Sequence, residues 1–331
     1  MGAGLWALAF VNQSALAPAG PQADKIGQLW WLLLSVCAGV YVLVMIALLI
    51  GIARRRRREA PLPPMTVLRL EPATERGLTR WVGGATAVTA LILLVFLIAS
   101  VSTSRSLEAL ASPQALNIDL TGHQWWWQVE YSDPMPSQRV LDANEIHIPV
   151  GRPVHIRATA NDVIHSFWVP NLHGKKDLIP GHMTDLWIRA DKPGVYRGQC
   201  AEFCGWQHAH MALLVIAEPA ERFDAWLARQ RQPPPPPSTP LQERGRAVFE
   251  SQACPLCHTI QGSQAAGSAG PDLTHLASRR TLAAGTLPNT IGSLGGWISD
   301  PQSVKPGNRM PAVSLHADDL QALLAYLETL R

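Results

Sequence analysis

Charge is what this sequence has little of. Only 16% of its 331 residues are Asp, Glu, Lys or Arg, and two stretches, Ile26 to Ala53 and Trp81 to Ser104, contain none. Each exceeds the roughly 20 apolar residues that cross a bilayer. A core helix of a soluble protein rarely runs so far without a charge, so the pattern excludes a wholly soluble chain and predicts two membrane spans. A basic patch is also missing. The net charge of +3 arises before Arg105, where nine basic residues face four acidic ones, and the remainder is balanced or slightly acidic. That excludes a nucleic-acid partner. No internal repeat is evident. Cysteine is sparse, with five in all, and Cys37 falls inside the first apolar stretch, where it reads as a small packing residue.

The basic excess sits between the two stretches, as Arg54, Arg55, Arg56, Arg57 and Arg58 with Arg69, Arg76 and Arg80. By the positive-inside rule this loop is cytoplasmic, which puts both termini and the long C-terminal region on the periplasmic side of a bacterial inner (cell) membrane. The same arginines would meet anionic lipid. Residues 1–25 form an extracytoplasmic segment. Its apolar start and the Ala15-Leu16-Ala17 cluster look like a cleavage site, but the positively charged region of a signal peptide is lacking, so processing stays open.

Five regions follow: 1–25; a transmembrane hairpin over 26–104 with a basic loop at 54–80; 105–231; a linker at 232–240; and 241–331. Within the third, short β-rich runs alternate with Pro and Gly turns: Ala115 to Leu120, Glu145 to Pro149, Pro153 to Ala158, His165 to Val169, Asp185 to Ile188 and Met211 to Ala217. This spacing predicts an all-β sandwich or barrel, closed by a helix over Ala220 to Arg231. Pro233 to Pro237 form a stiff spacer. Beyond it, helices are predicted over Leu241 to Ser251 and Asp318 to Leu330, the latter with Leu320, Leu323, Leu324 and Leu327 at helical spacing.

Chemistry concentrates in two segments. Cys200, Cys204, His208 and Met211 lie within twelve residues. Paired thiols on the oxidising side could form a disulfide, and zinc accepts Cys and His. A thioether is of little use to zinc, whereas a Cys–His–Met loop closing a β-barrel is how blue-copper proteins hold their metal, with a further His from an earlier strand. A second cysteine four residues away allows two thiolates to bridge two coppers. One electron can then spread over both ions, and bond lengths change little on oxidation. The other segment, Cys254-Pro-Leu-Cys257-His258, is a c-type haem attachment pattern: two thiols for thioether bonds and an adjacent imidazole for iron. Met310, in Lys305-Pro-Gly-Asn-Arg-Met310-Pro311, is the one methionine after the linker and the leading sixth ligand, with His275 and His316 as alternatives.

The Cys200–Met211 segment, with Gly122–Trp127 and Asp162–Pro170 upstream of it in the same order, resembles the dinuclear copper (CuA) region of cytochrome c oxidase subunit II. The resemblance implies a cupredoxin-like Greek-key barrel. It also implies that Cys200 and Cys204 bridge the coppers, with His165 and Met211 completing one ion and His208 and the Glu202 carbonyl the other. The Glu202 carboxylate would reach a magnesium at the contact with subunit I, near which Asp162 and Asp177 would also lie. Trp125 matches an exposed tryptophan through which electrons enter. His210 is the alternative to His208. The segment from Leu241 resembles a class I cytochrome c, an all-α fold, with Gly245, Phe249 and Tyr326 between its terminal helices and Trp297 beside the haem. One departure concerns proton uptake: the glutamate expected three positions before the second span is Leu78 here, with Glu75 further back.

The expected function is that of the electron-accepting subunit of a haem–copper oxidase. Electrons would come from a periplasmic cytochrome c or another donor and leave for subunit I, with subunit III as a further partner. Subunit I would reduce oxygen to water with proton translocation. The alternatives are the copper subunit of a nitric oxide reductase and, from another class, a membrane-bound copper-delivery protein.

Overall fold

The computed structural model describes residues 13–57, 72–108 and 112–331, which fall into two units: residues 25–108, and residues 13–24 together with 112–331. In the first lie α2 (Pro72–Glu108) and all but the opening four residues of α1 (Pro21–Arg57). Both are long and apolar enough to cross a membrane, and neither apolar stretch is buried by protein. Leu43, Leu49, Leu91 and Leu97 are exposed, as expected where lipid is the solvent and every backbone group must be satisfied within the helix. The helices run past the charge-free stretches, so Arg54, Arg76 and Arg80 lie on them rather than in a connecting loop. The rest of that loop, with Arg58 and Arg69, and the apolar run before Gln13 lie outside the described residues.

The second unit begins its β structure with β1 (Leu116–His123) and β2 (Trp126–Tyr131), a hairpin that turns at Gln124 and Trp125. There follow β3 (Val140–Ala143), β4 (Glu145–Pro149), β5 (Val154–Ala160), β6 (His165–Trp168), β7 (Lys176–Leu178), β8 (Thr184–Ile188), β9 (Gly194–Cys200) and β10 (Ala212–Glu218). They make two five-stranded sheets, in orders β3-β2-β1-β5-β8 and β4-β10-β9-β6-β7. Alternation along β1 puts Leu116, Ile118 and Leu120 inside, where Trp127, Ile156 and Phe167 meet them. α3 (Ala220–Gln230) closes the barrel by burying Phe223 and Trp226, the Trp226 ring stacking on His147 at 4.1 Å.

After the proline run come α4 (Pro240–Ser251), α5 (Cys254–Cys257), the two-residue strands β11 (Thr281–Leu282) and β12 (Leu287–Pro288), α6 (Ile291–Ser299), α7 (Pro301–Val304) and α8 (Ala317–Leu327). Thr239 caps α4, its hydroxyl accepting the Gln242 N–H, with Pro240 in the first turn. α4 and α8 cross so closely that a β-carbon on Gly245 would overlap the Ala322 carbonyl. Phe249, Leu323, Tyr326 and Leu327 fill the space around this crossing.

The C-terminal region is seated on the barrel. Arg279 Nε donates to Asp142 Oδ1 at 2.8 Å, both side chains only 6% exposed. Glu145 Oε1 accepts the N–H groups of Arg280 and Thr281 at 2.6 and 3.1 Å. The Ala212 N–H reaches the Ala284 carbonyl at 2.9 Å, and Gln207 Nε2 donates to the Pro306 carbonyl at 2.8 Å. The proline run thus joins two parts already held together by buried polar contacts.

Burial, then the nearby Asp142 carboxylate, pushes the Glu145 pKa up to about 7. A carboxyl that holds its proton more tightly folded than unfolded contributes stability below its ordinary value of 4.5 and loses that contribution as pH rises through about 7. Thermal melting across this window should show wild-type Tm falling with pH relative to Glu145→Gln, whose amide oxygen still accepts both N–H groups. Parallel curves for the two proteins would contradict this.

Candidate copper and haem sites

The first cluster is assembled by strand pairing. β6 pairs with β9 so that Phe167 faces Cys200, which brings His165, at the start of β6, beside the end of β9. The loop from Cys200 to the start of β10 supplies Cys204, His208 and Met211. The two sulfurs stand 3.7 Å apart, unbonded. His165 Nδ1 is 3.9 Å from Cys200 Sγ, and His208 Nδ1 is 3.7 Å from Cys204 Sγ. Met211 Sδ lies 3.9 Å from Cys204 Sγ, and the Glu202 carbonyl oxygen is 3.2 Å from Cys200 Sγ. All six groups named from the sequence therefore come together. His210 does not join them: its ring bonds Gln207 Oε1 at 2.8 Å.

The pocket is dry. His165 and Met211 are fully buried, and Cys200 and Cys204 are nearly so. His165 Nε2 bonds Asp162 Oδ1 at 2.9 Å, which leaves Nδ1 on the sulfur side, an arrangement that orients a metal-binding imidazole. Burial works against the Asp162 carboxylate. Hydrogen bonds from His165 and from the Gln124 and Val163 N–H groups outweigh it and hold the pKa below the ordinary value. The two thiols oppose each other: hydrogen-bonded to Cys204, the Cys200 thiol is driven well below its usual range, and the Cys204 thiol is driven above it. One negative charge is tolerable here without a cation, but two are not. Two buried cysteine sulfurs, a buried and a half-buried imidazole and a thioether in one pocket fit copper. Gly122 leaves the room this needs, because a β-carbon there would stand 2.8 Å from His165 Cδ2. The Glu202 carboxylate points elsewhere: it is 44% exposed and 3.9 Å from Lys175 Nζ, with no oxygen-donor cluster to suit magnesium among the described residues.

The second site is built around α5, one helical turn that presents Cys254 and Cys257 ahead of His258. His258 Nδ1 donates to the Pro271 carbonyl at 2.7 Å, leaving Nε2 free, and burial lowers the pKa, which favours the neutral, ligating form. A cavity of about 490 Å³ opens beside it, with Cys254, Cys257, His258, Trp297 and Met310 in its wall. Asn308 fixes the Met310 backbone by accepting its N–H at 2.8 Å. His275 is occupied elsewhere, bonded through Nε2 to the Gln230 carbonyl at 3.2 Å, and neither it nor His316 lines the cavity. Two thiols a turn apart, a free imidazole nitrogen and a thioether around one apolar cavity fit a covalently attached haem.

Trp125 departs from expectation. It is 9% exposed, because the C-terminal region covers it. Its indole N–H donates to the Cys204 carbonyl at 2.9 Å, its own carbonyl accepts from Lys305 Nζ at 2.8 Å, and its side of the hairpin turn forms part of the haem-sized cavity. Sequence reasoning missed Lys305, Arg279, Asp142 and Glu145, which act only once the two regions meet. Asp162, expected near a partner contact, also bonds His165 Nε2 at 2.9 Å.

Comparison with known proteins follows the same division. The model for the cytochrome c oxidase subunit II periplasmic domain matches residues 135–218, and the cytochrome c model matches residues 242–331. Cytochrome c oxidase subunit 2 of Alkalihalophilus pseudofirmus is 37% identical over 97% of this chain and 91% of its own length. The subunit of the same name from Bacillus sp. strain PS3 is 30% identical over 73% of each chain. Among solved structures, the periplasmic domain of cytochrome oxidase subunit II from Bradyrhizobium japonicum is 31% identical and superposes with a TM-score of 0.34, covering 37% of this chain and 97% of that one. The similarity to a full-length relative runs through both apolar helices, the cupredoxin-like barrel and the helical C-terminal region, and on that ground the chain belongs to the cytochrome c oxidase subunit 2 family, in a form that carries its own cytochrome c domain.

Proposed function

We propose that this chain takes electrons from a periplasmic donor at its C-terminal haem domain and passes them to a dinuclear copper site in the barrel. From there they go to subunit I of a respiratory oxidase, where oxygen is reduced to water with proton translocation. The observation that carries the reading is Trp125, a single residue that lines the haem-sized cavity and hydrogen-bonds the Cys204 carbonyl at 2.9 Å. Cys254 and Cys257 would hold the haem covalently, with His258 and Met310 as axial ligands. Cys200 and Cys204 would bridge two coppers, completed by His165, Met211, His208 and the Glu202 carbonyl. When bound, the haem and the paired coppers each supply a one-electron couple, and the copper pair shares its charge so that little reorganises on transfer.

The protein's own part is to exclude water, fix the ligands and hold a short bonded route between the sites. Asp162 keeps His165 in one orientation, and Pro271 does the same for His258. The burial of His165, Cys200, Cys204 and Met211 argues against a copper-delivery role, which needs ligands a partner can reach. Because the haem domain is seated on the barrel, Trp125 would receive electrons from within the chain rather than from a soluble carrier docked on the copper domain. The arginines at the ends of α1 and α2 support a cytoplasmic connection between the spans and a periplasmic position for both redox domains, in a bacterial inner membrane. Subunit I, and subunit III beside it, would complete the complex.

Replacing Cys204 with Ser removes one bridge, so paramagnetic resonance should lose the shared-valence signal of two equivalent coppers. Survival of that signal would contradict the ligand assignment. Met310→Ala should lower the haem midpoint potential sharply, since thioether ligation raises it. An unchanged potential in a redox titration would show that Met310 is not the sixth ligand.

A further inference from the structure

The cavity wall is charged in one sense only. Arg279, Lys305 and Arg309 contribute to it, and no Asp or Glu does. Two of these cations have carboxylates of their own: Arg279 pairs with Asp142 at 2.8 Å, and Arg309, 70% exposed, lies 3.9 Å from Asp162. Lys305 is different. It is 3% exposed and donates to two neutral groups, the Trp125 carbonyl at 2.8 Å and the Ala283 carbonyl at 3.2 Å. Among the described residues no carboxylate lies within ion-pair distance of it. An ammonium has three N–H donors, so one remains after these two bonds. Burial outweighs the attraction of the Cys204 sulfur and pulls the Lys305 pKa down to about 7. Buried cations are costly unless paired, and this one stands in the wall of a cavity whose fitting ligand, a haem, carries two propionate carboxylates.

We propose that Lys305 is a positioning residue for the haem: its ammonium pairs with a haem propionate while holding the Trp125 carbonyl, fixing the haem edge against the residue that touches the copper loop. The inference rests on the haem reading above and adds a role that the attachment motif and axial ligands do not include. Lys305 and Met310 belong to one loop, so the same short segment would supply an axial ligand and a propionate anchor. The ammonium would also favour the reduced haem, which carries one positive charge fewer than the oxidised form.

The test uses the full chain with haem and copper bound. Lys305→Met keeps most of the side chain's length and removes its charge, whereas Lys305→Arg keeps the charge. The Met variant should show a lower haem midpoint potential and slower haem-to-copper transfer after pulse reduction. Its ferric thioether-to-iron absorption band should not change, because Met310 stays in place. Lys305→Arg should restore the potential most of the way. In the fully reduced, diamagnetic wild type, NMR should show a cross-peak between the Lys305 ε-methylene and the haem propionate methylenes, a readout that holds even if the Met variant fails to take up haem. An unchanged potential in a haem-loaded Lys305→Met chain, or the absence of that cross-peak in a haem-loaded wild type, would overturn the lysine assignment alone. A wild-type chain with no covalent haem would overturn the haem reading and this inference with it.

Discussion

Two buried sulfur atoms 3.7 Å apart cannot both be thiolates unless cations lie between or beside them. That constraint organises the β domain. It requires nitrogen and thioether donors around the sulfurs, and the pairing of β6 with β9 supplies His165 while the β9–β10 loop supplies His208 and Met211. It also requires the imidazole to present one particular nitrogen, which Asp162 enforces from the far side. The tight approach of the hairpin at Gly122 and the complete burial of His165 follow from the same demand for a closed, preorganised site.

The second organising contact is the seat of the cytochrome domain. Arg279 and Asp142 form an ion pair with 6% exposure on each side, and removing one member of such a pair costs about 3–5 kcal/mol because the other charge is left buried alone. Glu145, which accepts two backbone N–H groups from the facing loop, adds a second pin, and Lys305 on the Trp125 carbonyl a third. A proline spacer read by itself suggests a tethered carrier whose effective concentration depends on linker length. With these contacts made, the distance between the two redox sites is fixed by packing, and the linker needs only to span the gap.

Much of this was legible in the sequence because it is local. The strand over Glu145 to Pro149 has the bounds of the β-rich run in the sequence, and the two apolar stretches, the Cys200–Met211 loop and the Cys254–His258 motif each lie within a short window. What was not legible depends on the partner surface or on weak local signals. β9 begins on a glycine and carries a second one, and β7 is only three residues long. α6 has three glycines in nine residues and forms because Thr290 caps it and Leu294 and Ile298 are buried, against its own poor propensity. Trp125 looks exposed from its motif, yet it is covered by residues some 180 positions later. Lys305 reads as part of a loop presenting Met310, and its isolation from carboxylates appears only in three dimensions.

On this reading the paired cysteines hold two coppers while a separate haem sits in the same chain. Metal analysis of the purified full-length chain, combined with paramagnetic resonance, tests it most directly. The expected result is two coppers for each haem iron and a resonance in which one unpaired electron is shared equally between the two copper nuclei. Zinc in place of the copper, one copper for each iron, or a Cys200–Cys204 cystine in the native material would contradict it.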